Sequence, residues 1–213
     1  NSIRNALKNN EIKITKTIKN SEGKSEEVID CYPRIMLGNS MDGTACFTFM
    51  LGLFRLVCSN GLVVASDVFT DMKIKHIHYT FEDLQKLVLK TIKELPDQIK
   101  SVNDMQNKIL TQEQQIELAL KMYRIKQGKD VDDEASILSD ASLQELLVPV
   151  RQEDTGDSLW LCFNRIQEHL IKGTYSIESK SGKFKKARPV KSFIRDVSIN
   201  TKFWKIANSV LVQ

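Results

Sequence analysis

The residues of this chain best suited to chemistry lie towards its carboxyl end. Lys180, Lys183, Lys185, Lys186, Arg188, Lys191 and Arg195 interleave there with Tyr175, Phe184 and Phe193. Cations neutralise phosphates and release counterions, and aromatic faces stack on unpaired bases; a single-strand binder needs both. From Lys172 to Lys205 ten Lys/Arg meet only Glu178 and Asp196, a local net of +8 in a chain of +4, which leaves −4 for the remainder. Such asymmetry suits a polyanion partner or, more blandly, a solvated basic face.

Other constellations are weaker. Arg55 sits in the most apolar stretch of the chain. It either faces away from the core side set by Phe54 and Leu56, or is buried and paired with Asp42, Glu153 or Asp154. Asn164, Arg165, Gln167 and Glu168 cluster at helical spacing beside an apolar stripe, where polar side chains can shape a cleft or tie loops down. His76 and His78 would share one face of a strand, but no third ligand stands at metal-site spacing, so no metal is expected. Asp30, Asp42, Asp67 and Asp71 could assemble a Mg²⁺ site for phosphodiester cleavage, and a Ser-His-Asp or Cys-His nucleophile assembled in space stays open. Ser40 and Ser59 lack the G-x-S-x-G setting, and neither a Walker nor a G-x-G-x-x-G loop occurs. No catalytic residue and no cofactor is expected.

The elements that must hold these residues read as α+β: a mostly antiparallel sheet first, packed by helices, then a helix, a basic hairpin and a final helix. One domain over 1–213 is expected, sheet-rich at 10–79, with a helical insertion at 80–148 and a helix plus hairpin at 149–213. Residues 11–18 alternate Ile12 and Ile14 with lysines and threonines, the period of a half-exposed strand. Val28–Tyr32 and Ile35–Leu37 follow as strand, with Pro33 marking an edge or bend. Ala45–Val57 is a long apolar strand, and Ser59-Asn60-Gly61 signals a hairpin into Leu62–Val64. A turn at Asn39–Thr44 and a further strand at Lys73–Tyr79 complete the sheet.

Helical spacing begins after Thr80, with Asp83 in a capping box, and Pro96 breaks or kinks the helix. A second helix opens at Thr111 with Gln114, buries Ile116, Ala119, Leu120 and Tyr123, and stops at Gly128. Residues 129–140, acidic and rich in small side chains, read as a mobile loop, and Ser142–Leu147 as a short helix. Asp157 caps a helix through Lys172, with Gly173 as its stop and Leu159, Phe163, Ile166 and Leu170 as its buried stripe. Tyr175–Ile177 and Phe184–Val190 form the basic hairpin about Ser181-Gly182, and Asn200 caps a last helix.

Cys31, Cys46, Cys58 and Cys162 show no C-x-x-C pairing and read as free thiols of a reducing, cytoplasmic compartment. No apolar run reaches the roughly 20 residues of a membrane-spanning helix, so no membrane partner is expected.

Two blocks carry a resemblance. The first is Tyr32-Pro33, Asn39-Ser40-x-Asp42-Gly43-Thr44 and Gly52-Leu53-Phe54-Arg55-Leu56-Val57-Cys58-Ser59-Asn60-Gly61-Leu62-Val63-Val64. The second is Leu146-Leu147-x-Pro149-x-Arg151-x-Glu153-Asp154, continuing through Leu159-Trp160 and Phe163-Asn164-Arg165-x-Gln167-Glu168. Asn200 and Trp204 match a further Asn-x-x-x-Trp element. These resemble the phage/plasmid-like proteins of domain-of-unknown-function family 932 over about residues 30–208, with Met41 where a histidine is expected. The resemblance implies a setting in bacterial mobile DNA and no agreed activity. With the basic segment it leads to a non-enzymatic nucleic-acid-binding protein, single-stranded DNA favoured, supporting annealing or recombination, and a homo-oligomer that extends its groove. A protein-interaction or host-defence-antagonist role is the alternative, and a metal-dependent nuclease the second.

Overall fold

The computed structural model describes residues 14–19, 25–38, 48–55, 61–62, 81–133, 138–179 and 182–212. The chain divides into two compact units, Asn1–Val102 and Asn103–Gln213. The architecture is α+β, and mostly helical.

In the first unit β1 (Ile14–Lys19), β2 (Ser25–Gly38), β3 (Thr48–Arg55) and β4 (Gly61–Leu62) form an antiparallel sheet in chain order. The two short strand signals before and after Pro33 have merged into the single 14-residue β2. Its pairing with β1 ends at Cys31, and its pairing with β3 runs from Cys31 to Gly38. Among the described residues Pro33 therefore has one neighbouring strand rather than two, and its missing N–H can fall on the open side. Leu53 pairs with Leu62 and Phe54 with Gly61, the hairpin expected from Asn60-Gly61. The Asn39–Thr44 turn, the 73–79 strand, His76, His78, Asp42, Asp67 and Asp71 lie outside the described residues, as do the side chains of Asp30 and Arg55.

Helix α1 (Phe81–Asn107) runs on through Pro96, which neither ends it nor splits it in two. The remaining elements belong to the second unit: α2 (Gln112–Lys126), α3 (Asp140–Leu147), a 3-10 turn at Gln152–Asp154, α4 (Leu159–Lys172), β5 (Ser176–Glu178), β6 (Phe184–Lys186) and α5 (Phe193–Val212).

Local chemistry explains most of their ends. Thr111 and Gln114 make a reciprocal capping box at the start of α2. Ser139 caps α3. Ser158, rather than the expected Asp157, caps α4 through the Leu161 N–H, and Gly173 ends it in the left-handed region at φ 69°. Asp157 instead accepts from Gln115 Nε2 at 3.0 Å and, through its carbonyl, from the Leu110 N–H. The last helix starts seven residues ahead of Asn200, with Ser192 Oγ accepting from the Arg195 N–H. Asn200 is an interior residue of it. Strand β6 ends at Lys186, short of the expected Val190.

The core of this unit is built around α4. Its expected stripe of Leu159, Phe163, Ile166 and Leu170 is fully buried, and Trp160 joins it. Phe163 meets Trp204 of α5 edge-on at 6.2 Å and lies 6.3 Å from Trp160 in a stacked arrangement. Leu118, Ala119, Met122 and Tyr123 supply the face of α2, whereas the expected Ile116 and Leu120 are only half-buried. Helix α4 is enclosed on nearly every side, so its polar residues must find partners inside the protein.

Candidate functional site

The basic hairpin exists, and its base is anchored in the core. Strands β5 and β6 pair antiparallel, Ser176 opposite Lys186, Ile177 opposite Lys185 and Glu178 opposite Phe184. Gly182 takes φ 73° in the turn. Below the ladder the Ala187 N–H donates to the Tyr175 carbonyl at 2.8 Å, and both side chains are buried. The return segment then lies along the end of α4. A Cβ on Gly173 would stand 2.6 Å from the Ala187 carbonyl oxygen, so only glycine lets that segment approach. The Val190 N–H donates to the Ile171 carbonyl at 2.8 Å.

A buried lysine completes the anchor. Lys126, the last residue of α2, is 6% exposed. Its ammonium donates to the Tyr175 hydroxyl at 3.1 Å and to the Arg188 carbonyl at 3.0 Å. It also sits over the Tyr175 ring, 4.7 Å from the centroid. Burial, and secondarily the charge of Arg195, hold its pKa down at about 8. Arg195 in turn gives one guanidinium N–H to the Lys126 carbonyl at 3.0 Å.

Above this anchor Lys183, Phe184, Lys185, Lys186, Arg188 and Lys191 are all exposed, Phe184 to 53%. Among the described residues no carboxylate forms an ion pair with any of these cations. Tyr175 does not belong with them: its ring lies in the core, edge-on to Tyr123 at 6.3 Å, and has no free face for a base. Lys180 and the side chain of Phe193 lie outside the described residues. Ladder alternation separates the cations, with Lys186 on the face of Phe184 and Lys185 on the other.

The polar residues Asn164, Arg165, Gln167 and Glu168 of α4 are buried and spend their hydrogen bonds on neighbouring groups of the protein. Asn164 turns back onto the Trp160 carbonyl at 2.6 Å, within its own helix. Arg165 fans out to Gln115 Oε1 at 2.6 Å and the Gly156 carbonyl at 2.8 Å, holding α2 and the loop before α4 together. Gln167 donates to Asn200 Oδ1 of α5 at 2.7 Å. Glu168, 2% exposed, accepts from Arg151 Nη2 at 2.8 Å and Lys172 Nζ at 2.6 Å. Burial pushes its carboxyl up, but the hydrogen bonds and charges of Arg151 and Lys172 outweigh that and bring it down to about 2. Arg165, Gln167 and the Glu168–Arg151 pair tie α4 to other elements, while Asn164 and the Glu168–Lys172 pair stay within it. Cys162 is buried and free, its thiol raised to about 11 chiefly by burial, and so poorly nucleophilic. Among the described residues no three of His, Cys, Asp and Glu are grouped to hold a metal ion, and no helix is long and apolar enough to cross a membrane.

The model of a family described as "Domain of unknown function (DUF932)" matches residues 9–204. The chain belongs to the DUF932 family. This DUF932 chain is 31% identical over 187 residues to the UPF0380 protein YafZ of Escherichia coli (strain K12), and equally so to the UPF0380 protein YfjQ of the same organism. Each match takes in 85% of the chain and 63% of the relative, so the chain spans less than two thirds of their length. No solved structure matches it.

Two participants escaped sequence reasoning. Lys126 carried a signal, because it falls on the buried stripe of α2 three residues after Tyr123, where a charge is out of place. Arg151 as the partner of Glu168 carried none, since 17 residues and a loop separate them.

Proposed function

We propose that this protein is a non-enzymatic nucleic-acid-binding protein of phage or plasmid DNA metabolism, with single-stranded DNA as its favoured ligand. It would act in the cytoplasm of a bacterial cell, supporting strand annealing or recombination. The observation that carries the reading is the ribbon: Lys183, Lys185, Lys186 and Arg188 stand exposed on a hairpin whose base is packed into the core, with Lys186 on the face of the half-exposed Phe184 and Lys183 and Lys185 on the other. A hairpin backbone already anchored in the core has less freedom to lose when its cations meet phosphates, and an open ring accepts a base that duplex DNA keeps stacked. Lys191 extends the strip along the return segment, while Arg195 contributes less because one of its N–H groups is committed to Lys126. A second copy would lengthen the groove along one strand.

The test is replacement of Lys183, Lys185, Lys186 and Arg188 by alanine together. Retention of a short single strand at low salt should be lost, with the melting temperature nearly unchanged because none of the four side chains is buried. Undiminished binding by that variant would dispose of the proposal.

A further inference from the structure

The two faces of the ribbon differ, and one carries an acid. The Ser179 N–H donates to the Lys183 carbonyl and the Ala187 N–H to the Tyr175 carbonyl, each at 2.8 Å. Hydrogen-bonded and non-hydrogen-bonded pairs alternate in an antiparallel ladder, so Glu178–Phe184 and Ser176–Lys186 are the non-hydrogen-bonded pairs, with Cα atoms about 4.5 Å apart. Their side chains project to the face opposite Tyr175 and Ala187, whose side chains are buried. The outward face thus presents Phe184 with Glu178 directly across from it and Lys186 two residues along. Glu178 is exposed, and among the described residues no donor engages it.

We infer that Glu178 makes this face selective for guanine in an unpaired strand. The inference rests on the nucleic-acid reading above and deepens it. A strip meant only for phosphates gains nothing from a carboxylate beside its aromatic ring, since the two anions repel. With the nucleic-acid backbone held by Lys186 on the same face and a base stacked on Phe184, Glu178 meets the edge of that base. Guanine offers two adjacent donors there, N1–H and N2–H, which match the two oxygens of a carboxylate. Adenine and cytosine offer one amino group beside a ring acceptor. Thymine turns two carbonyl oxygens towards the carboxylate, with a single N–H between them, and is the least favoured.

Fluorescence anisotropy tests this with the full chain and labelled single strands: homothymidine, and the same length with guanine, adenine or cytosine at every fourth position. The wild type should bind the guanine strand about ten-fold more tightly than homothymidine. Glu178→Gln should reduce that ratio below about three-fold without weakening homothymidine binding, because the amide both donates and accepts. Equal affinities in the wild type, or an undiminished ratio in Glu178→Gln, would overturn the guanine assignment while leaving strand binding standing. A wild type that retains none of the strands would instead remove the nucleic-acid reading, and this one with it.

Discussion

The Lys126 ammonium lies 3.1 Å from the Tyr175 hydroxyl and over the ring of the same residue. It is a buried cation held by a phenol and a carbonyl, and no carboxylate among the described residues pairs with it. Its pKa is about 8 in the folded chain against an ordinary 10.5, so between these values the unfolded chain binds more protons. Stability through Lys126 therefore rises as pH climbs from about 8 towards 10.5. Cys162 and Tyr175, both raised by burial, act in the opposite sense at the alkaline end. Comparison with Lys126→Met isolates the lysine. The wild type should gain about 1–2 kcal/mol on the variant in urea unfolding between roughly pH 7.5 and 9.5. A constant difference would mean that the amine stays charged throughout.

Glu168 works with the opposite sign. Its carboxyl titrates at about 2 in the folded chain and near 4.5 when free, so its contribution is complete above pH 4.5 and lost as pH falls towards 2. Glu168→Gln leaves Arg151 and Lys172 facing an uncharged partner and should cost about 3 kcal/mol at neutral pH. The variant should also lose much of the acid sensitivity of the wild type between about pH 4.5 and 2.5. Urea titrations at neutral and acid pH read both effects.

Two glycines of positive φ should respond differently to the same substitutions. Around Gly128, at φ 75°, nothing lies within 4 Å of an added Cβ, and asparagine there should be nearly neutral. At Gly173 the return segment occupies the space, so alanine and asparagine should each cost about 2 kcal/mol or more. Thermal melts of the four variants decide it. Equal losses at both sites would mean that backbone conformation, and not the close approach, governs Gly173.

Salt dependence should report the cations directly. Single strands release about 0.7 counterion per phosphate contact, so replacing Lys183, Lys185, Lys186 or Arg188 singly by alanine should flatten the plot of log affinity against log salt by about 0.7 each. An unchanged slope, measured by filter binding over a range of NaCl, would show that Lys183, Lys185, Lys186 and Arg188 meet no phosphates.

Much of this fold is legible in the sequence wherever a local rule governs. The Thr111 capping box, the Gly173 stop, the apolar stripe of α4 and the turn at Gly182 each follow from a few neighbouring side chains. Errors arise where distance along the chain decides. Asn200 has the residue type of a helix cap, yet Ser192 supplies that cap and Asn200 instead meets Gln167, 33 residues away. Tyr175 has the type of a stacking residue, and only the packing of α2 and the return segment shows that its ring is used up inside. Asn164, Gln167 and Glu168 look like one polar flank until α2, α3 and α5 are seen to enclose α4.

The outer edge of β6 is open. Among the described residues only β5 pairs with it, so one side of Phe184–Lys186 offers backbone groups to any extended chain that comes near. Such an edge invites templated self-association, and a row of lysines is a common deterrent, because two like-charged ribbons repel before their backbones can zip together. Neutralising Lys183, Lys185 and Lys186 should therefore leave the purified protein more prone to precipitate.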